Sequence, residues 1–293
     1  MQQLTEHVKL FGNGYFNYYV VGEEEAALIE CGTSAGAVIF AQQWKQLPVK
    51  PDIKYIVVLH SHFDHVCGIP ILRQLFPSAL VVGSSSTQKV LSKEKAMAGA
   101  FASDRYVSES YLQQGFIEAI PQVSAPGPIA VDVVVGEGDH LLLGDTLKLD
   151  ILDAPGHSPC SLAAYLESDQ IMFVSDAAGY KTGPEEISPV FFQNYDSYMS
   201  TLQRFQTFPL QVLAMAHGDV MQGSAVGEYL QQSIRAAEEG FAFIKAGLQS
   251  GVDEKQIGQQ VFERYLKGGM AYYPPDIMLS TMQLLVKNVK DKL

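Results

Sequence analysis

The sequence predicts an α/β chain, and three observations lead there. Short β-branched runs such as Tyr55-Ile56-Val57-Val58-Leu59 have the length and composition of buried strands. Helical patterns follow several of them, as after Gly68 and Pro70 through Leu75. The order strand, histidine-bearing loop, helix occurs in the first half and again in the second, with no literal repeat of sequence.

Taken in order, the chain opens with a meander. Val8 to Phe11 is a strand, Asn13-Gly14 a turn, and Phe16 to Val21 the return strand. Glu23-Glu24-Glu25 is a solvated hairpin tip that points outward and so cannot gather a metal. Ala26 to Ile29 is the next strand, closed by Glu30-Cys31-Gly32. Ser34 is placed to cap a helix running to about Gln46, which Pro48 and Pro51 end. After the central strand and its loop, Ala79 to Val82 is a strand. Ser84 to about Ile120 is helical, with Lys93-Glu94-Lys95 on a solvated face. Gln122 to Pro128 is rich in Pro and Gly and forms a linker inside the fold. Strand patterns return at Val131 to Val135, Leu141 to Leu143, Leu147 to Leu152, Ile171 to Val174 and Val212 to Ala216. A helix around Tyr198 to Phe208 precedes the last of these.

Beyond Gly223 the pattern becomes wholly helical, which divides the chain into a domain over 1–223 and a helical extension over 224–293. Val226, Leu230, Ile234, Ala237, Phe241, Ile244 and Leu248 form one apolar stripe, ended by Gly251. Asp253, with Gln256 three residues on, opens a second helix. Lys267-Gly268-Gly269 stops it, and Tyr272-Tyr273-Pro274-Pro275 is a stiff aromatic link. Met278, Met282, Leu285 and Val289 mark a third helix, with Lys287, Lys290 and Lys292 suited to its C-terminal dipole. These helices either pack on the core, form a homodimer face, or build a wall of the substrate pocket.

Composition narrows the function. At 293 residues, 47 % hydrophobic and 18 % charged, the chain has the make-up of a soluble globular protein. A formal net charge of −12 argues against general binding to nucleic acid or to an anionic membrane. Met1-Gln2-Gln3-Leu4 opens no basic, apolar signal segment. Cys31, Cys67 and Cys160 form no CxxC pair, as expected in a reducing compartment. The expected location is the cytoplasm.

The chemistry concentrates where the central strand ends. His60, His62, Asp64 and His65 fall within six residues, and the whole chain has only seven histidines. Neutral imidazole and carboxylate are ligands for zinc, iron or manganese. A loop at the C-terminal end of a core strand is where α/β sheets place their sites. Later residues of the same kinds also follow strands: His157 after Pro155-Gly156, Asp176 after Ile171 to Val174, and His217 after Val212 to Ala216. Ser158 and Ser161 are read as residues that stabilise the turn at His157. His7 and His140 stand apart from these groups.

The stretch HSHFDH resembles the HxHxDH signature of the metallo-β-lactamase superfamily. Gly138-Asp139, Ala154-Pro155-Gly156-His157-Ser158, Ser175-Asp176 and Ala216-His217-Gly218 match its later landmarks in order, over residues 5 to 223. The resemblance implies a four-layer αββα sandwich with a metal site at one sheet edge. It implies that His60, His62 and His157 hold one divalent transition metal, that Asp64, His65 and His217 hold a second, and that Asp176 bridges both. Zinc comes first, with iron or manganese as alternatives. Asp64 is also assigned a catalytic part. The implied reaction is hydrolysis by a hydroxide that bridges the metals. Glu30 departs from the family's Asp-x-Gly, which weakens any specific role for that carboxylate.

Substrate is less defined, since relatives cleave β-lactams, thioesters, lactones, phosphodiesters and sulfate esters. Secreted β-lactamases need export, flavodiiron proteins carry Glu where His62 stands, and RNA-processing members carry RNA-gripping elements. The expectation is therefore a small-molecule ester or thioester of acyl-CoA or glutathione type. The run Asp196 to Gly218 is similar to the quinolone-signal response protein, a thioesterase relative that also acts in signalling. A regulatory protein that keeps the metal site is the alternative, as is a lactonase or phosphodiesterase. Phe191, Phe192 and Tyr195, with Tyr272-Tyr273, are expected to supply an apolar grip. If the two phenylalanines face opposite ways, Phe192 is the one expected in the core.

Overall fold

A computed structural model of the chain describes residues 1–123, 127–183 and 186–293. Its elements are β1 (Gln2–Gln3), β2 (Val8–Gly12), β3 (Asn17–Val21), β4 (Glu25–Ile29), α1 (Ser34–Lys45), β5 (Asp52–Val57), α2 (Ile69–Leu75), β6 (Leu80–Gly83), α3 (Ser85–Leu91), α4 (Glu94–Gln113) and β7 (Val133–Val134) in the first half. The second half adds β8 (His140–Leu143), β9 (Leu147–Asp153), β10 (Leu162–Leu166), β11 (Ile171–Ser175), β12 (Tyr180–Lys181), β13 (Ile187–Ser188), α5 (Tyr195–Phe205), β14 (Val212–Met215) and β15 (Met221–Gln222). The C-terminal helices are α6 (Ser224–Gln249), α7 (Glu254–Tyr265) and α8 (Pro275–Lys290).

The strands form two mixed sheets, in the orders β1-β2-β3-β4-β5-β6-β7 and β15-β14-β11-β10-β9-β8, beside a two-stranded β12-β13 pair. Alternation along each strand decides what every face buries. Tyr19, Val21, Ala27, Ile29 and Val57 of the first sheet meet Leu149, Ile151, Ala164, Phe173 and Ala214 of the second in an apolar layer between them. The residues in between point the other way. Tyr18 packs on Phe40 of α1 with ring centroids 5.2 Å apart. Met172, Val174 and Leu213 lie in the same outer core as Leu202 and Phe205 of α5. Helix, sheet, sheet, helix is thus the layer order, which is the expected sandwich.

The helices beyond Gly223 have no separate core. Val226, Leu230, Ala237 and Ile244 of α6, and Met282, Leu285 and Val289 of α8, belong to the cluster that holds α1, α2 and α5. Asp253 caps α7 as expected, accepting from the Lys255 and Gln256 amides at 2.9 and 3.4 Å. Among the described residues no helix is long and apolar enough to cross a membrane.

Three local expectations change. The cap of α1 is Thr33, whose Oγ1 accepts from the Gly36 amide at 3.1 Å. Ser34 is the first helical residue, and its amide and hydroxyl both donate to the carboxylate of Asp104 on α4. The helical stretch expected over Ser84 to Ile120 breaks at Ser92-Lys93 into α3 and α4 and ends at Gln113. Of the expected linker, residues 124–126 lie outside the described residues.

Asp104 is only 3 % exposed, and burial pushes its carboxyl up to about 6 despite the two Ser34 donors. A folded pKa above the free value of about 3.9 means the folded state holds a proton that the unfolded chain has lost between about pH 4 and 6. Stability should therefore fall as pH rises through that window and level off above it, by at most about 3 kcal/mol. Urea unfolding at pH 4, 5, 6 and 7 should show this fall for the native chain relative to Asp104→Asn, which has no proton to lose. Parallel pH profiles for the two would contradict the assignment.

Candidate metal centre

The site gathers at one end of the two sheets, from the loops that follow β5, β9, β11 and β14. After β5 the chain turns at His60 and winds one 3-10 turn over Phe63–His65 before α2. That turn lies hard against the end of β4. A Cβ on Gly68 would stand 2.0 Å from the Cys31 carbonyl oxygen, so only glycine lets the loop sit there. The loop after β9 reaches His157 through Gly156, at φ +120°, where a Cβ would stand 2.2 Å from the Tyr198 amide nitrogen. The Ser158 and Ser161 hydroxyls pair at 2.7 Å inside this turn, in line with their expected role. Asp176 follows β11 directly, and Ser175 before it is held at φ +49°.

Seven side chains converge in two sets. His60, His62, His157 and Asp176 form one, and Asp64, His65, Asp176 and His217 the other; within each, one ligand-type atom per residue lies within 4.8 Å of all the others. Asp176 Oδ2 is 3.6 Å from both His60 Nε2 and His157 Nε2, and 3.4 Å from His65 Nε2. Its Oδ1 is 3.4 Å from His217 Nε2. Asp64 Oδ2 lies 3.3 Å from His65 Nε2 and 3.4 Å from His217 Nε2. One carboxylate therefore faces both sets.

Contacts behind the rings fix their aim. His157 Nδ1–H donates to the Val190 carbonyl at 3.0 Å, and His217 Nδ1–H to the Tyr15 carbonyl at 2.6 Å. His60 Nδ1 is 3.0 Å from Ser175 Oγ, and His65 Nδ1 is 2.8 Å from Glu30 Oε2. Each leaves Nε2 directed into the site, the arrangement in which an outer partner sets the tautomer of a ligating imidazole. Glu30, whose departure from the family's Asp-x-Gly weakened the expectation of a specific role, is the buried orienter of His65, at φ +71° and 2 % exposed.

Electrostatics suits divalent cations. Burial drives His60 and His62 down and takes His157 to about 3, so these imidazoles are neutral with lone pairs available. In the second set the carboxylates prevail: burial opposes charge on His65 and His217, but Asp64 and Asp176 hold both up. Burial likewise opposes charge on Asp64 and Asp176, yet His65 above all keeps both well below the usual carboxylate range. His60 Nε2 is buried with no hydrogen-bond partner. Such an orphan is costly unless a cation takes the lone pair. The donor set thus fits metal.

The other expected residues divide. Phe192 lines the cavity above the site, its ring 5.3 Å from that of His157. Phe191 is fully buried against Tyr195 and Tyr198, the reverse of the expected order for the pair. Tyr195 is the first residue of α5 and packs on Phe241 at 4.4 Å, apart from the cavity lining. Phe191 lies in the segment that leads into α5 and packs on the core, while Tyr195, in the first turn of that helix, is turned onto α6. His7 lies 2.7 Å from Asp169, where it ties down the N-terminus, and His140 is exposed in β8.

Tyr273 has the most direct contact with the site of any residue after Gly223. Its hydroxyl donates to Asp64 Oδ2 at 2.7 Å, the same oxygen that faces His65 and His217. Burial and the Asp64 charge hold its phenol well above the ordinary value, so it stays a donor. Its neighbour Tyr272 turns the other way, onto Tyr15 and Tyr111. The expected aromatic grip identified the pair but not the contact to Asp64.

Comparison with known proteins places this geometry. A profile of the family described as the Metallo-beta-lactamase superfamily matches residues 12–217. A metallo-beta-lactamase fold-containing protein of Sulfurisphaera tokodaii is 24 % identical over 241 residues, covering 82 % of this chain and 86 % of that one. The sec-alkylsulfatase Pisa1 of Pseudomonas sp. superposes with a TM-score of 0.64 at 14 % identity, over 97 % of this chain and 49 % of its own. A metal-soaked Flv1 flavodiiron core from Synechocystis sp. has a TM-score of 0.52 at 17 % identity, over 78 % of this chain and 54 % of its own. The two structures share the fold, and the chain spans about half the length of each.

Two outcomes follow from the site. Protein expressed with added metal should carry close to two transition-metal ions per chain by elemental analysis, and Asp176→Ala should lose both. Glu30→Ala should weaken one ion by roughly 10–100-fold in chelator competition. Equal affinity in that variant would show that Glu30 does not orient His65. Separately, Phe191→Ala should cost about 3–5 kcal/mol of stability with metal binding retained, whereas Phe192→Ala should cost much less in denaturant titration.

Proposed function

The chain belongs to the metallo-β-lactamase superfamily, and on that premise we propose that it is a dinuclear metal-dependent hydrolase that cleaves a thioester. The observation that carries the hydrolase reading is the pair of histidine and aspartate sets sharing Asp176 at the floor of a cavity. His60, His62, His157 and Asp176 would hold one cation, and Asp64, His65, His217 and Asp176 the other. Divalent ions so held supply Lewis acidity to a carbonyl oxygen and make water a nucleophile near neutral pH.

The chain's own groups do the rest. The Val190 and Tyr15 carbonyls and the Glu30 carboxylate keep the imidazoles aimed, so little reorganisation is needed during reaction. Tyr273 fixes the Asp64 carboxylate by its hydroxyl. Phe192, Val190 and Met278 supply an apolar wall that excludes water from the acyl group. Hydrolysis adds water across the C–S bond, giving a carboxylic acid and a thiol. The thioester reading draws support from that wall, which offers an acyl chain burial.

The measurement is kcat/KM for acyl-CoA and glutathione thioesters against bis(p-nitrophenyl) phosphate and a panel of lactones, with metal-loaded protein. At least one thioester should be the best substrate. A phosphodiester or lactone that outruns every thioester would displace the thioester reading and leave metal-dependent hydrolysis in place.

A further inference from the structure

We infer that the cavity accepts only an uncharged, compact apolar group, of about six carbons or fewer, and that Thr281 and Leu284 of α8 enforce this selection. The inference rests on the hydrolase reading above and adds the substrate class. The cavity measures about 180 Å³. An apolar cavity of about 150 Å³ holds one benzene, so about six carbons are the most that can be enclosed, and a longer chain has to leave apolar carbons in water past the rim.

The walls decide the charge. Ile277, Thr281 and Leu284 line the cavity from α8, spaced four and three apart, and so form one stripe along the helix. Met282, Leu285 and Val289 lie on a different face, buried in the core. Helix α8 thus turns one face to the core and the adjoining one to the cavity, with Met278 at the border of the two. Leu284 and Ile277 are 42 % and 36 % exposed, which puts them at the rim. Two hydroxyls of the wall are engaged within the protein. Thr281 Oγ1 donates to the Ile277 carbonyl at 2.8 Å, and the Tyr273 hydroxyl donates to Asp64.

Among the described residues no lysine or arginine lines the cavity, and residues 124–126 and 184–185 include none. Lys181, Lys267 and Lys292 are paired with Asp219, Glu186 and Asp196. A carboxylate, sulfate or phosphate carried at the far end of the bound group would therefore enter with no lysine or arginine to pair it. Burying an unpaired charge is the costliest arrangement a site can impose. A thiol that bears phosphates has to stay outside the mouth.

The test uses the metal-loaded full chain and thioesters of one short uncharged thiol, N-acetylcysteamine. The acyl groups are hexanoyl, adipoyl, which is the same length with a terminal carboxylate, and dodecanoyl. Hexanoyl should exceed each of the other two by about tenfold or more in kcat/KM. Leu284→Arg and Thr281→Arg should shrink the hexanoyl to adipoyl ratio by about tenfold, with two rim or wall positions guarding against a single misfolded variant. Hexanamide should raise Tm of the native chain and not of Thr281→Arg, a readout independent of turnover. Adipoyl or dodecanoyl turned over as well as hexanoyl would overturn the inference, as would an unchanged ratio in both variants. If no thioester is cleaved, protection by hexanamide that Thr281→Arg abolishes supports the cavity assignment and overturns the thioester reading alone. Absence of both turnover and protection overturns the two together.

Discussion

Five imidazoles and two carboxylates are packed into one mostly buried spot, and the rest of the molecule answers to that constraint. Asp176 is its pivot, since its two oxygens face His60, His157 and His65 on one side and His217 on the other. A lone pair such as that on His60 Nε2, buried with no protein partner, is costly to leave unmade and is satisfied by a cation beside it. The apolar layer between the sheets needs no metal. The edge where β5, β9, β11 and β14 end has polar groups in excess of what the protein itself can pair.

The backbone near the site is correspondingly unrelaxed. Glu30 and Ser175, neither of them glycine, both hold left-handed φ values and both contact a histidine of the site through their side chains. Such conformations cost about 1–3 kcal/mol each and persist where the surroundings over-determine them. Gly68 and Gly156 serve the same end by a different route, letting the His60 to His65 loop and the His157 loop press against neighbouring backbone. Orientation of the rings is thus bought by main-chain strain and close approach, spread over four separate loops.

This division explains what the sequence made legible. Dense, chemically distinctive residues at strand ends identified all seven members of the two sets, because convergence needs only that each strand finish at the same sheet edge. The alternating and helical patterns identified the layers for the same reason. Contacts that depend on a side chain's direction were less accessible. Glu30 looked like a departure from a pattern, yet an extra methylene still reaches His65. Phe191 and Phe192 were ordered wrongly because the turn into α5, rather than simple alternation, decides which one faces the cavity. Thr33 takes the cap expected of Ser34 because Asp104, seventy residues on, claims Ser34 for itself. None of these leaves a local signal.

Tyr273 is the extreme case, and it shows why the C-terminal helices are more than packing. The residue lies 209 positions from Asp64 and touches the oxygen that faces His65 and His217. It reaches that oxygen only because α8 is seated by Met282, Leu285 and Val289 in the core shared with α6 and α7. The stripe that forms the cavity wall is on the same rigid rod. A change that loosens the core face of α8 therefore moves the wall and the Asp64 contact together. Selectivity and the setting of the second ligand group are coupled through one helix, so substitutions in its buried face act on the site without touching it.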